Sequence, residues 1–216
     1  MTGSISSWPE EKLKVLAAHI DKQEITEIIS AWSYARDQQQ WEQFRACFHE
    51  GATISVSFYS GAIEGFIKRV AKMGASKHVM ANTRIELKED RAVTETNVLL
   101  SSRGAEKEID LSAWLRFVDL FEKREGSWRI VKRVAIYEKD RIDPVIPSGL
   151  MRLFYPRQKL ESYPREAKHL FYELEQLGFP CSEDHIVTSN SEKEKRMRQE
   201  NTAWLSRQDM NPHPLE

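Results

Sequence analysis

Ile25, Ile28, Ile29 and Trp32 recur at i, i+3, i+4 and i+7, the stripe of a helix with one apolar face. Upstream, Ser7 reads as an N-cap with Pro9 in the first turn and Glu10 three residues on, which predicts a helix to about His19. Asp21 with Glu24 repeats the device and predicts a second helix, the one carrying the stripe. A short helix over Trp41–Phe48 follows, ended by Gly51, and ATISVSFYS (52–60) alternates as a strand. Ser60 and Gly61 lead into a helix, IEGFIKRVAKM, stopped at Gly74.

The period then changes to two. Residues 78–87, 92–102, 108–122 and 127–139 read as four long strands joined by the short polar connections 88–91, 103–107 and 123–126, an antiparallel meander. Helices first and sheet afterwards predict an α+β fold, with helices covering one face of a curved, mainly antiparallel sheet.

The chain divides at the Pro-rich stretch 143–149 into a domain over 8–142 and a helical extension over 143–210, packed on the same domain or on a neighbouring subunit. Within the extension, Ser162 and Pro164 open a helix that buries Leu170, Leu174 and Leu177 and stops at Gly178. The charged run after Ser189 predicts a peripheral helix or arm anchored by Trp204 and Leu205. Residues 1–7 and the terminal NPHPLE are expected to be mobile.

Composition narrows the function classes. The 216 residues are 40% hydrophobic and 30% charged with a formal net charge of -1, so no global field draws the chain to nucleic acid or anionic lipid. Cys47 and Cys181 are too few for a disulfide framework and are expected to be reduced thiols. With no signal-peptide pattern at the start and no apolar run near the roughly 18 residues of a membrane helix, the expected location is cytoplasmic.

Phosphate loops, nucleophile elbows, HExxH and CxxC are absent from the sequence, and His19, His49, His169, His185 and His213 have no metal-ligand spacing. No metal is expected. Ser30, Ser33 and Asp37 share a helix face at i, i+3 and i+7, leaving room beside a carboxylate that opposes the helix dipole. That face reads either as solvated or as one wall of a pocket. His78 opens a strand beside Val79 and Met80, where a histidine serves either as a satisfied sheet residue or as a base.

Three segments bear on that choice: ARDQQQWEQFRACFHEGATISV, GASKHVMANTRIEL and EGSWRIVKR, in helix–helix–strand–helix–meander order. Over about residues 15–140 the chain resembles the nuclear transport factor 2-like superfamily, and within it the SnoaL-like group that includes scytalone dehydratase and hexachlorocyclohexane dehydrochlorinase. The resemblance implies a cone-shaped sheet wrapped by the N-terminal helices, with Asp37 and His78 facing each other inside as a general-base dyad. It further implies a cofactor-independent lyase of dehydratase type, acting on a small, largely apolar metabolite of secondary or catabolic metabolism and assembled as a homodimer or homotrimer. An isomerase or cyclase using the same dyad is the sibling reading. A noncatalytic ligand-binding or scaffold domain is the rival from another class.

The chain departs from scytalone dehydratase where that enzyme carries a second pocket histidine, here Leu100, Ser101, Ser102 and Arg103. It also departs at the tyrosine pair, here Arg36 and Val56, so a minimal dyad is the better fit. Tyr34, Trp41, Asn97, Trp114, Arg116 and Tyr137 are the candidate substrate-binding residues.

Overall fold

The computed structural model describes residues 8–104, 109–145 and 155–206. In chain order these form α1 (Glu10–Asp37), α2 (Trp41–Ala46), β1 (Phe48–Val56), β2 (Tyr59–Ala62), α3 (Ile63–Val70), β3 (Ser76–Lys88), β4 (Arg91–Gly104), β5 (Ile109–Arg124), β6 (Ser127–Pro144), α4 (Arg157–Leu160), α5 (Lys168–Gln176), β7 (Val187–Thr188) and α6 (Glu192–Leu205). The expected mobile ends lie outside the described residues, as do most of the Pro-rich boundary and 105–108 between β4 and β5.

The two helices expected before residue 37 are one. No glycine or proline interrupts 10–37, and Asp21 is not a cap. Its carboxylate instead accepts from Lys123 Nζ at 2.6 Å and Trp128 Nε1 at 2.8 Å, which ties mid-helix to the β5–β6 hairpin. Ile25, Ile29, Trp32 and Arg36 form the buried stripe of the C-terminal half.

The helix ends in a Schellman wrap. Gln40 N–H reaches the Ala35 carbonyl at 2.8 Å and Gln39 N–H the Arg36 carbonyl at 3.3 Å, with Gln39 at φ +55°. That wrap fixes the turn from which Asp37 projects.

Gly51 does not end a helix. It lies inside β1 at φ +78°, where the pairing with β6 slips between Phe48 and Thr53, so the strand begins four residues earlier than the alternation suggests.

The sheet runs β2-β1-β6-β5-β4-β3, with β7 added to β6. The meander is antiparallel throughout; β1 and β7 join β6 in parallel. Its concave face carries Leu111, Leu115, Phe117, Ala135 and Tyr137, closed over by α1, α3 and α5. Its convex face carries Val118, Val134 and Ile136, which pack against Val187 and Met197. Residues 155–206 therefore serve both sides: α5 roofs the concave side, with Leu170 and Leu174 buried as expected and Leu177 63% exposed, and α6 backs the sheet with Trp204 buried.

Candidate active site

α1 and the edge strand β3 meet at Asp37 and His78. β3 pairs with β4 on one side only, so its outward N–H groups need other acceptors. Asp37 supplies one: Oδ2 accepts the His78 backbone N–H at 2.8 Å, and Oδ1 lies 2.6 Å from His78 Nδ1. The Asp37 and His78 side chains are 6% and 10% exposed, so water does little to screen the contact.

Electrostatics fix the protonation state. Burial pushes the Asp37 carboxyl up, but the His78 hydrogen bonds and the nearby Arg36 outweigh it and hold it below its usual value. Burial drives the His78 pKa down, Arg36 and Arg133 add to this, and the Asp37 contact offsets only part. The pair is thus carboxylate and neutral imidazole at neutral pH. An ionised carboxylate can only accept, so Nδ1 carries the proton and Nε2 is the basic nitrogen.

The ring sits against Trp32, edge-on at 5.4 Å between centroids, and against Phe117 at 6.4 Å. Behind those two rings lies an ion pair with no solvent exposure at either residue. Arg133 reaches both oxygens of Asp119, at 2.6 and 2.7 Å, and its guanidinium packs over Trp32 and Phe117.

His78 opens onto a cavity of about 470 Å³, large enough for a small organic ligand and walled mainly by apolar and aromatic side chains. Tyr137 lines it from β6; its hydroxyl accepts the Ser57 N–H at 2.9 Å, and burial pushes its pKa up to about 12, so it stays protonated. Burial also raises both thiols, Cys47 and Cys181, to about 11, which favours their protonated form at neutral pH.

The other sequence candidates lie outside the cavity wall. Tyr34 is 70% exposed, because the face of α1 turned to the sheet is that of Trp32 and Arg36. Ser30 and Ser33 turn their hydroxyls back onto α1 carbonyls for the same reason. Trp41 packs edge-on against Phe44 at the start of α2. Asn97 is exposed on β4, opposite Arg116. Trp114 and Arg116 point to the convex side, Trp114 under Lys139 and Arg116 among Glu95, Glu138 and Glu194.

Sequence reasoning placed Trp32 in the core and passed over Arg36 and Ser76, all three of which line the cavity. The i, i+4 spacing of Trp32 and Arg36, and the i, i+2 spacing of Ser76 and His78, are the signals that could have found them.

A curled sheet closed by an N-terminal helix is the fold of the nuclear transport factor 2-like class. The sequence pattern of the SnoaL-like domain matches residues 18–134, and the chain belongs to that family.

Among its relatives is the "Pea pathogenicity protein 2" of Fusarium vanettenii, 31% identical over 206 residues and covering 86% of each chain. Among solved structures, a type 2 hexachlorocyclohexane dehydrochlorinase (LinA) superposes with a TM-score of 0.54 at 17% identity, over 64% of this chain and 99% of that one. A Novosphingobium aromaticivorans protein assigned as a scytalone dehydratase superposes with a TM-score of 0.53 at 17% identity, over 61% and 97%. At these identities the structural likeness is one of fold.

Proposed function

We propose that the protein is a cofactor-independent lyase of dehydratase type, acting on a small, largely apolar carbon acid. The observation that carries this reading is the 2.6 Å contact between Asp37 Oδ1 and His78 Nδ1 behind a ring that lines an apolar cavity. A neutral imidazole held in one tautomer by a buried carboxylate is a general base, and a base of this kind contributes on the order of 10²–10⁴ in rate.

In the proposed step, Nε2 of His78 takes a proton from carbon. The C–H electrons form the new double bond as the bond to the leaving group breaks. For a hydroxyl leaving group, the imidazolium returns the proton to the departing oxygen, water leaves, and His78 is neutral again. Asp37 stays ionised throughout and stabilises the imidazolium.

Removal of the same proton with its return at another carbon gives an isomerase, and the relation of the fold to dehydratases and isomerases supports either product. The proposal includes a homodimer or homotrimer in the cytoplasm; light scattering on the eluting protein and fractionation of the cells that make it read those two points.

The test is proton exchange. Incubated in D₂O with candidate carbon acids, wild type should wash deuterium into the activated position, or release product, while His78→Ala and Asp37→Asn should not. Equal exchange by all three proteins on the true substrate overturns the mechanism.

A further inference from the structure

The charged side chains around the cavity are not alike. Arg103 is held at the rim by both oxygens of Asp110, at 2.8 Å each, and Glu173 accepts from Tyr155 at 2.7 Å. Arg36 is only 6% exposed and lines the same cavity, yet its guanidinium has no hydrogen-bond or ion-pair partner among the described residues. The neighbouring Asp37 acts on it through its charge alone and makes no hydrogen bond or ion pair with it, both of its oxygens being turned to His78. A guanidinium keeps its charge under any working condition, and burying one without an acceptor is costly. A ligand that supplies an anionic acceptor removes that cost.

A second group points the same way. Ser76 also lines the cavity, and its buried hydroxyl has no partner among the described residues. It lies two positions before His78 on β3, on the same face and roughly 6.5–7 Å along the strand. Arg36 directly precedes Asp37, the residue that holds His78 from the other side. The two incomplete donors thus share the cavity wall with the proposed base, and the rest of the wall is largely apolar, with Phe58, Phe66 and Phe117 among its rings.

We propose that the cavity takes an apolar, ring-containing carboxylic acid, its carboxylate received by Arg36 and Ser76 and its ring by the aromatic wall. As a statement about the substrate it rests on the lyase reading; as a statement about binding it does not need that reading. A carboxylate suits the site because a planar guanidinium donates two parallel N–H bonds to it, while a hydroxyl serves a remaining lone pair. The methyl ester of the same acid fills the same space but leaves the guanidinium without its counter-charge.

The experiment compares matched pairs: benzoate, phenylacetate, cinnamate and 2-naphthoate against their methyl esters, by thermal shift and by Trp fluorescence titration. In wild type, acids should bind about tenfold or more tightly than esters. Arg36→Met, close in size and apolar, should abolish that preference while still binding the esters, which also shows that the variant is folded. Ser76→Ala should weaken the acids a few-fold and leave the esters alone. Wild type that binds acids and esters equally, wild type that binds no acid, or an Arg36→Met variant that keeps the preference overturns the proposal. If the preference holds while His78→Ala and Asp37→Asn turn over substrate like wild type, the acid subsite stands and the lyase chemistry falls.

Discussion

One carboxylate holds both the backbone and the ring of one histidine: Asp37 accepts the His78 N–H at 2.8 Å through Oδ2 and the Nδ1–H at 2.6 Å through Oδ1. The first bond finishes the edge of the sheet and the second sets the tautomer. The residue proposed to orient the base thus also docks α1 on β3, and substitutions there act on stability and chemistry together.

Asp37→Asn acts on the ring contact more than on the backbone contact. An amide can keep an acceptor toward the His78 backbone while its NH₂ faces Nδ1, which moves the ring proton to Nε2 and removes the lone pair from the cavity side. Turnover is expected to fall on the order of 10²–10⁴-fold, with a stability loss of about 1–3 kcal/mol from the weakened buried hydrogen bonds. Imidazole ¹⁵N shifts should report the Nδ1–H tautomer in wild type and the Nε2–H tautomer in the variant.

The pH dependence follows from the His78 shift, which is downward from 6.5. The unfolded chain binds the His78 proton more readily than the folded one. Stability tied to this group is therefore complete above the ordinary histidine range and is lost as pH falls below it. The imidazole is active only when neutral, so the acid limb of kcat/KM should have its midpoint below 6.5, with a plateau through pH 7–8. A midpoint at or above the ordinary histidine value would falsify the protonation state assigned to the dyad. Asp37→Asn removes a contact that favours the charged ring, so the midpoint should move lower still.

The outline of the fold was legible because its strongest signals are local. The change from period 3.6 to period 2 near residue 76 and the three short polar connections give the meander directly. What was lost depends on register. Asp119 faces Arg133 only because the β5–β6 pairing shifts between Leu120 and Phe121; counted straight back from the hairpin loop, Asp119 would face Lys132. Arg116 and Trp114 share a face by simple alternation, but which face is concave depends on the curl of the whole sheet. Tyr34 and Trp32 differ by two positions on one helix, about 200° apart, and only the packing of α1 decides which is inside. Asp37 and His78 themselves came from resemblance to a family pattern, since 41 residues of sequence carry no local sign of contact.

Arg116 is expected to matter for assembly of the fold and not for chemistry. On the convex side it binds Glu138 Oε1 at 2.7 Å, Glu194 Oε1 at 2.9 Å and Ser189 Oγ at 3.1 Å, and it also pairs with Glu95, which Arg198 bridges from α6. Glu95 is held down to about 2, chiefly by Arg198 and also by Arg116 despite partial burial. Arg116→Ala takes this guanidinium from Glu138 and leaves Arg198 as the remaining cation for Glu95 and Glu194, and should cost about 1–3 kcal/mol. It should also loosen α6, which Arg198 and Met197 still hold to the sheet. Below its lowered melting point the variant should keep wild-type kcat. A selective loss of kcat with unchanged stability would return Arg116 to the substrate-binding set.

The roof over the cavity is fastened from the sheet. α5 has Ala167 at its N-cap and no capping side chain of its own. Asp140 of β6 takes that place, accepting the backbone N–H of His169 at 2.7 Å and of Leu170 at 2.8 Å, with His169 Nδ1 at 2.8 Å from its other oxygen. Two orphan donors of the first turn are thus satisfied by a carboxylate whose side chain is only 1% exposed. Asp140→Ala should cost about 2 kcal/mol, and the loss should be local, because α5 lies on the cavity and not within the sheet. Hydrogen exchange should therefore quicken over Lys168–Gln176 while Ser76–Lys88 keeps its protection. Since Leu170 and Leu174 form part of the cavity wall, a ligand held inside should leave faster from the variant, with a smaller change in its association rate. Exchange that quickens equally in both segments would mean that Asp140 supports the whole fold.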